Sequence, residues 1–74
     1  MRDSIREKLR RILEEIPWTF EARVGASEIA EATGYSSQSI AMLIRYRLHG
    51  VEVESMQSGE RKVYKRIARR LRQL

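Results

Sequence analysis

The stretch Gly25-Ala26-Ser27-Glu28-Ile29-Ala30-Glu31-Ala32-Thr33-Gly34-Tyr35-Ser36-Ser37-Gln38-Ser39-Ile40-Ala41-Met42-Leu43 leaves few folds open to this chain. It reads as two short helices hinged at Gly34. Ala30 is small at the point where the second helix must come close to the first. Gly34, four residues later, lacks a Cβ and so supplies the positive φ that a tight interhelical turn needs. Ile40 follows six residues after the glycine, placed to point back into the angle between the helices beside Ile29 and Leu43. An ordinary αα-hairpin has the same spacing, so the pattern argues for a fold before it argues for a ligand.

The flanking segments supply the support. Ile5, Leu9, Ile12, Leu13 and Ile16 recur on one stripe of a helix, with Ser4 and Glu7 as a capping box and Asp3 as a competing cap. Pro17 stops that helix near residue 16. Arg2, Arg6, Arg10 and Arg11 share it with Glu7, Glu14 and Glu15, so its polar side reads as a solvated face with intrahelical ion pairs, and contact with a phosphate backbone is the alternative. Residues 18–24 are rich in β-prone types, with one short strand expected at Arg23-Val24 and with Trp18 and Phe20 expected under the bundle as core. Gly25 reads as the cap of the second helix, and Glu28 complements the positive end of its dipole.

The third helix starts at Ser36 or Ser37 and runs to about Leu48, with Gly50 as a stop. Ile40, Leu43, Ile44 and Leu48 share its inner face; Gln38, Met42, Arg45 and His49 form an outward stripe flanked by Ser37, Ser39 and Tyr46. Val51 to Ser55 and Lys62 to Lys65 alternate apolar and polar residues on either side of a Ser58-Gly59 turn, which predicts a β-hairpin. Ile67, Leu71 and Leu74 recur at i, i+4 and i+7 between Arg66, Arg69, Arg70 and Arg72, which predicts a basic amphipathic helical tail.

At 74 residues the chain is one domain, and a domain of this size buries only about 60% of its unfolded surface. With no cysteine it has neither a disulfide staple nor a thiolate metal site. Charges interrupt every apolar run, so a membrane span or signal peptide is not expected, and the chain reads as soluble and cytoplasmic, or nucleoid-associated if prokaryotic. Its net charge of +5 is unevenly placed: residues 1–33 sum to −1 and residues 34–74 to +6. Of the 15 basic residues 12 are arginine, whose rigid donor fork suits phosphates and guanine edges. Nucleic acid is therefore the leading partner, ahead of an anionic membrane surface.

The order helix, short strand, helix, helix, hairpin resembles the winged helix-turn-helix superfamily. The residues that carry the resemblance are Ser27 to Ser36 with Ala30 and Gly34, then Ile40 and Ile44, then Gly50-Val51, then Ser58 to Tyr64 as the wing. It implies a mainly α fold with a small hairpin: a winged helix-turn-helix domain over residues 1–67 and a basic tail over residues 68–74. It further implies DNA binding, with Gln38, Met42 and Arg45 facing bases, Ser36, Ser37, Ser39 and Tyr46 on phosphates, and Arg61 and Lys62 along the neighbouring backbone or minor groove. Arg66 belongs with Arg69, Arg70 and Arg72 to a cluster with no acidic residue after Glu60, which reads as electrostatic affinity for a polyanion, a solvated helix face being the alternative. One departure stands out: the leucine that many members carry late in the third helix aligns with Arg47, not with Leu48.

Three readings of function follow. The first is a transcription regulator that binds duplex DNA, as a homodimer through Ile67, Leu71 and Leu74. The second is a protein-interaction module built on the same fold, favoured by Met42 and Tyr46 in a weakly basic stripe. RNA binding is a third. An enzyme is not expected, since there is one histidine, no glycine-rich phosphate loop and no arguable carboxylate pair. No cofactor is expected, and His49 has no second ligand at metal-binding spacing.

Overall fold

A computed structural model describes residues 4–69. The first helix, α1, spans Ile5–Glu14, and Ser4 is its cap, its Oγ accepting the Glu7 N–H at 3.1 Å. Two tighter bonds then unwind it, from the N–H of Glu15 to the Ile12 carbonyl and from that of Ile16 to Leu13. Ile12 and Ile16 are buried, while Ile5, on the same stripe, is 51% exposed. On the polar side Arg10 bridges Glu7 and Glu14, and Arg11 reaches Glu7, which is the solvated ion-pair ladder expected of that face.

Beyond Pro17 the chain makes a 3-10 turn at Phe20–Ala22, closed by Arg23 in the left-handed region at φ 52°. Val24 then forms a single antiparallel bridge with Tyr64, whose N–H donates to the Val24 carbonyl at 2.8 Å. The short strand read at Arg23-Val24 is thus one residue long. Trp18 departs from expectation: it is 62% exposed, not under the bundle, and Phe20 is half-buried. The segment runs along the outer side of the hairpin's second strand, where the Arg66 guanidinium lies 4.6 Å from the Trp18 ring and the Lys65 ammonium 5.1 Å from that of Phe20. The core is aliphatic instead, and Tyr64 is the one aromatic among its buried residues.

Helix α2 spans Ala26–Thr33 and ends on Gly34, whose φ of 83° is the left-handed turn that the hinge required. Helix α3 spans Ser37–Leu43 and continues into a π-helical turn, Ile44–Leu48. Its hydrogen bond from the His49 N–H to the Ile44 carbonyl, 2.7 Å long, skips one residue more than an α-helix allows. The wide turn keeps Ile40, Ile44 and Leu48 on one buried face, although spacings of four would drift by about 40° each in an α-helix. The extra residue in this turn accounts for the register departure: Leu48 is buried and Arg47 exposed.

Strands β1, Val53–Ser58, and β2, Arg61–Arg66, pair antiparallel from Val53 with Arg66 to Ser58 with Arg61. The first strand is shifted from the alternation: Val51 and Glu52 lie in the turn before it, where their N–H groups bond the Leu48 carbonyl, while Met56, Gln57 and Ser58 continue the ladder to a two-residue Gly59-Glu60 turn. Val53 and Tyr64 close the core against α3. Ile67 does not start a helix: residues 67–69 have no regular structure, Ile67 is half-buried, and its N–H donates to the Glu52 carbonyl at 2.9 Å. The remainder of the expected tail, with Arg70, Leu71, Arg72 and Leu74, lies outside the described residues, as do Arg2 and Asp3.

Candidate nucleic-acid interface

Ser36 caps α3, its Oγ accepting the Ser39 N–H at 3.1 Å, so the hydroxyl proton is left to donate outward. From this cap α3 presents Ser37, Gln38 and Met42 to solvent and the π-helical turn that continues it presents Arg45 and Tyr46, with Met42 at 53% and Tyr46 at 70% exposure. Ser39 is half-buried. Arg45 lies over the Tyr46 ring at 5.7 Å.

The hairpin stands beside this helix, and between them runs an open groove of about 470 Å³, lined by Ala41, Ile44, Arg45, His49, Ser55, Lys62 and Tyr64. Lys62 and Tyr64 alternate onto one side of β2, with Ser55 paired opposite Tyr64. A second hollow, about 300 Å³, continues past Lys62 and Tyr64 to Ser27 and Ser37 at the starts of α2 and α3. No carboxylate pairs with Arg45 or Lys62 among the described residues, and neither hollow has a carboxylate in its lining. Burial pushes the Tyr64 phenol above its ordinary pKa, which keeps its hydroxyl protonated as a donor.

The wing is held in place by Arg61. Its guanidinium makes a two-pronged pair with the Glu28 carboxylate, one prong being Nη1 to Oε2 at 3.0 Å, and also donates to the Arg23 carbonyl at 3.1 Å. Glu28 in turn accepts the Gly25 N–H at 2.8 Å. These donors, Arg61 first and the Gly25 amide second, hold its pKa down to about 2. Gly25 is a seat for β2 as well as a cap, since a Cβ there would lie 2.7 Å from the Lys62 carbonyl oxygen.

The structure therefore divides the sequence-derived residues. Ser36, Ser37, Gln38, Ser39, Met42, Arg45 and Tyr46 lie on α3 and its cap, and Lys62 joins Arg45 across the groove. Arg61 is engaged by Glu28, and Arg66 stacks on Trp18 at the opposite end of β2. His49, read on the outward stripe of the third helix, lines the groove, and so do Ser55 and Tyr64, which the sequence reading did not assign to the site. The membership of Ser55 and Tyr64 depends on strand pairing and on where the hairpin packs, for which local sequence holds no signal. Among the described residues no three His, Cys, Asp or Glu side chains gather as metal ligands. No helix there is long and apolar enough to cross a membrane.

Comparison with known proteins gives no match, whether to a protein-family model, a curated sequence or a solved structure. The described residues form three helices and a two-stranded antiparallel hairpin, a layout compatible with the winged helix.

Proposed function

We propose that this chain is a small DNA-binding protein of the winged helix-turn-helix kind, acting as a transcription regulator. The observation that carries the proposal is the carboxylate-free groove where Arg45 of α3 faces Lys62 of the wing, beside an exposed polar helix face. In this reading α3 enters the major groove. Gln38 to Arg45 spans about 10 Å along the helix, or roughly three base pairs. Gln38 then pairs with adenine, Arg45 with guanine, and Met42 packs on a thymine methyl. Ser36, Ser37, Ser39, Tyr46 and Lys62 hold phosphates. Arg61, paired with Glu28, braces the wing, and Arg66, stacked on Trp18, adds to its positive field. A homodimer through Ile67, Leu71 and Leu74 and a cytoplasmic or nucleoid location belong to the same proposal.

Salt titration of duplex binding is the direct test. Each phosphate contact contributes a log-log slope of about −0.9, so several contacts give a steep loss of affinity. No binding at low salt, or a flat response, removes the proposal; stronger binding to structured RNA replaces DNA as the ligand.

The exposure of Met42 and Tyr46 favours a second reading, a protein-docking face on α3. It prevails if Gln38→Ala and Arg45→Ala leave nucleic-acid binding intact while Met42→Ala abolishes a protein interaction.

A further inference from the structure

On the other side of α3 lies a larger groove, about 660 Å³, between α1 and the turn that follows the π-helical segment. Its floor is apolar: Ile5, Leu9 and Leu13 from α1 meet Leu48 and Val51. Ile5 and Val51 are exposed large hydrophobic residues. Ile5 to Leu13 covers about 12 Å of α1, a little over two helical turns. The rim is cationic, with Arg6 and Arg10 on α1, Arg47 in the π-helical turn and Arg69 beyond β2, against one carboxylate among the described lining residues, that of Glu52. Arg10 is occupied by Glu7 and Glu14, and Arg69 lies 3.5 Å from Glu52. Arg6 and Arg47 pair with no carboxylate among the described residues. None of these residues lines the groove between α3 and the wing.

From this we infer a docking site for an acidic amphipathic helix of a partner protein, with apolar side chains on the floor and carboxylates against Arg6 and Arg47. Charge selects this occupant over two others. The chain's own residues 70–74 bring Arg70 and Arg72 to a rim that is already positive. A second copy, itself carrying +5, would set Arg6 and Arg47 against their own like charges. An acidic helix neutralises both arginines while covering the apolar floor, the helix-in-groove mode of recognition. The inference does not depend on the DNA-binding proposal, because the two grooves share no residue.

The test titrates the full chain, followed by amide NMR shifts, with a synthetic 14-residue peptide carrying leucines at i, i+3 and i+7 and glutamates on the flanks. A peptide of identical composition with its leucines scattered around the helix is the control for bulk charge. The expected result is saturable binding with shifts at Leu9, Leu13 and Val51, and at least tenfold weaker binding of the control. Ile5→Asp and Arg47→Glu, both at exposed positions, are each expected to weaken binding at least tenfold while amide spectra show the fold retained. Should either variant unfold, Arg6→Glu is the substitute. Equal binding of the two peptides, or shifts centred on Arg45 and Lys62, overturns the inference. It is equally overturned by binding that appears only after residues 70–74 are removed, which makes the tail the occupant. Self-association abolished by Ile5→Asp also overturns it, by making a second copy the occupant.

Discussion

A methyl group at Gly25 would meet two neighbours, the Arg61 guanidinium and the Lys62 carbonyl oxygen, each at 2.7 Å. The guanidinium can swing aside; a backbone carbonyl in a paired strand cannot. Gly25→Ala is therefore expected to destabilise the chain by about 1 to 3 kcal/mol, read from its urea midpoint. Glu28 makes a separate, pH-dependent contribution. Its folded pKa of about 2 lies below the roughly 4.3 of an unfolded glutamate. The stabilisation is complete above the unfolded value and is lost as pH falls toward the folded one. The pair is half exposed to water, so its worth is about 1 kcal/mol or less. Glu28→Gln is expected to lower Tm at pH 6 and to melt like the parent protein near pH 2. A Tm difference that persists unchanged at pH 2 would contradict this assignment.

Among the elements, the π-helical turn determines how α3 sits. Its additional residue is exposed Tyr46 or a neighbour, while Ile44 and Leu48 at its ends are buried. Deleting Tyr46 is expected to close the turn to α-helical spacing and leave a cooperatively melting protein, because Ile44 and Leu48 still reach the same face. Deleting Ala41 turns every later residue of α3 by about 100° and is expected to abolish cooperative melting. Thermal melts followed by circular dichroism separate the two outcomes. The hairpin is the complementary element, since its strand pairing brings Lys62 to Arg45 while Arg61, one residue earlier, turns to Glu28.

For the molecule as a whole, the basic groove between α3 and the wing and the apolar groove beside α1 occupy opposite sides of α3. Arg45 and Arg47, two residues apart, serve one groove each. Under the DNA-binding proposal the residues facing the first groove separate by role. Lys62→Ala is expected to weaken binding to all sequences alike and to reduce the salt slope by about 1. Arg45→Ala is expected to cost about 1 to 3 kcal/mol and to relax preference at one base position. Competition binding with base-substituted duplexes at two salt concentrations reads both, and a uniform effect of both substitutions would remove the base-reading role of Arg45.

Much of the fold was legible because it depends on local chemistry. The Ser4 and Ser36 caps, the stop at Pro17, the left-handed Gly34 and the alternation through Val63 and Tyr64 each act within a few residues of themselves. The apolar period through Ile40, Ile44 and Leu48 marked the buried face of α3, and the mismatch at Arg47 marked the place where its winding changes. Long-range pairing decided the rest. Glu28 and Arg61 are 33 residues apart, and nothing in either neighbourhood announces the other. Trp18 had the composition of a core residue, yet the aliphatic core closed without it and left its ring to Arg66. The sequence by itself determined where α1, α2 and α3 lie, which face each of them buries and where positive charge collects, because these follow from periodicity and residue type; the same periodicity also predicted a helix from Ile67 that the described residues do not form. Only the tertiary structure decided which cations remain unpaired and which grooves they line, because ion pairing depends on where the folded backbone sets each charge.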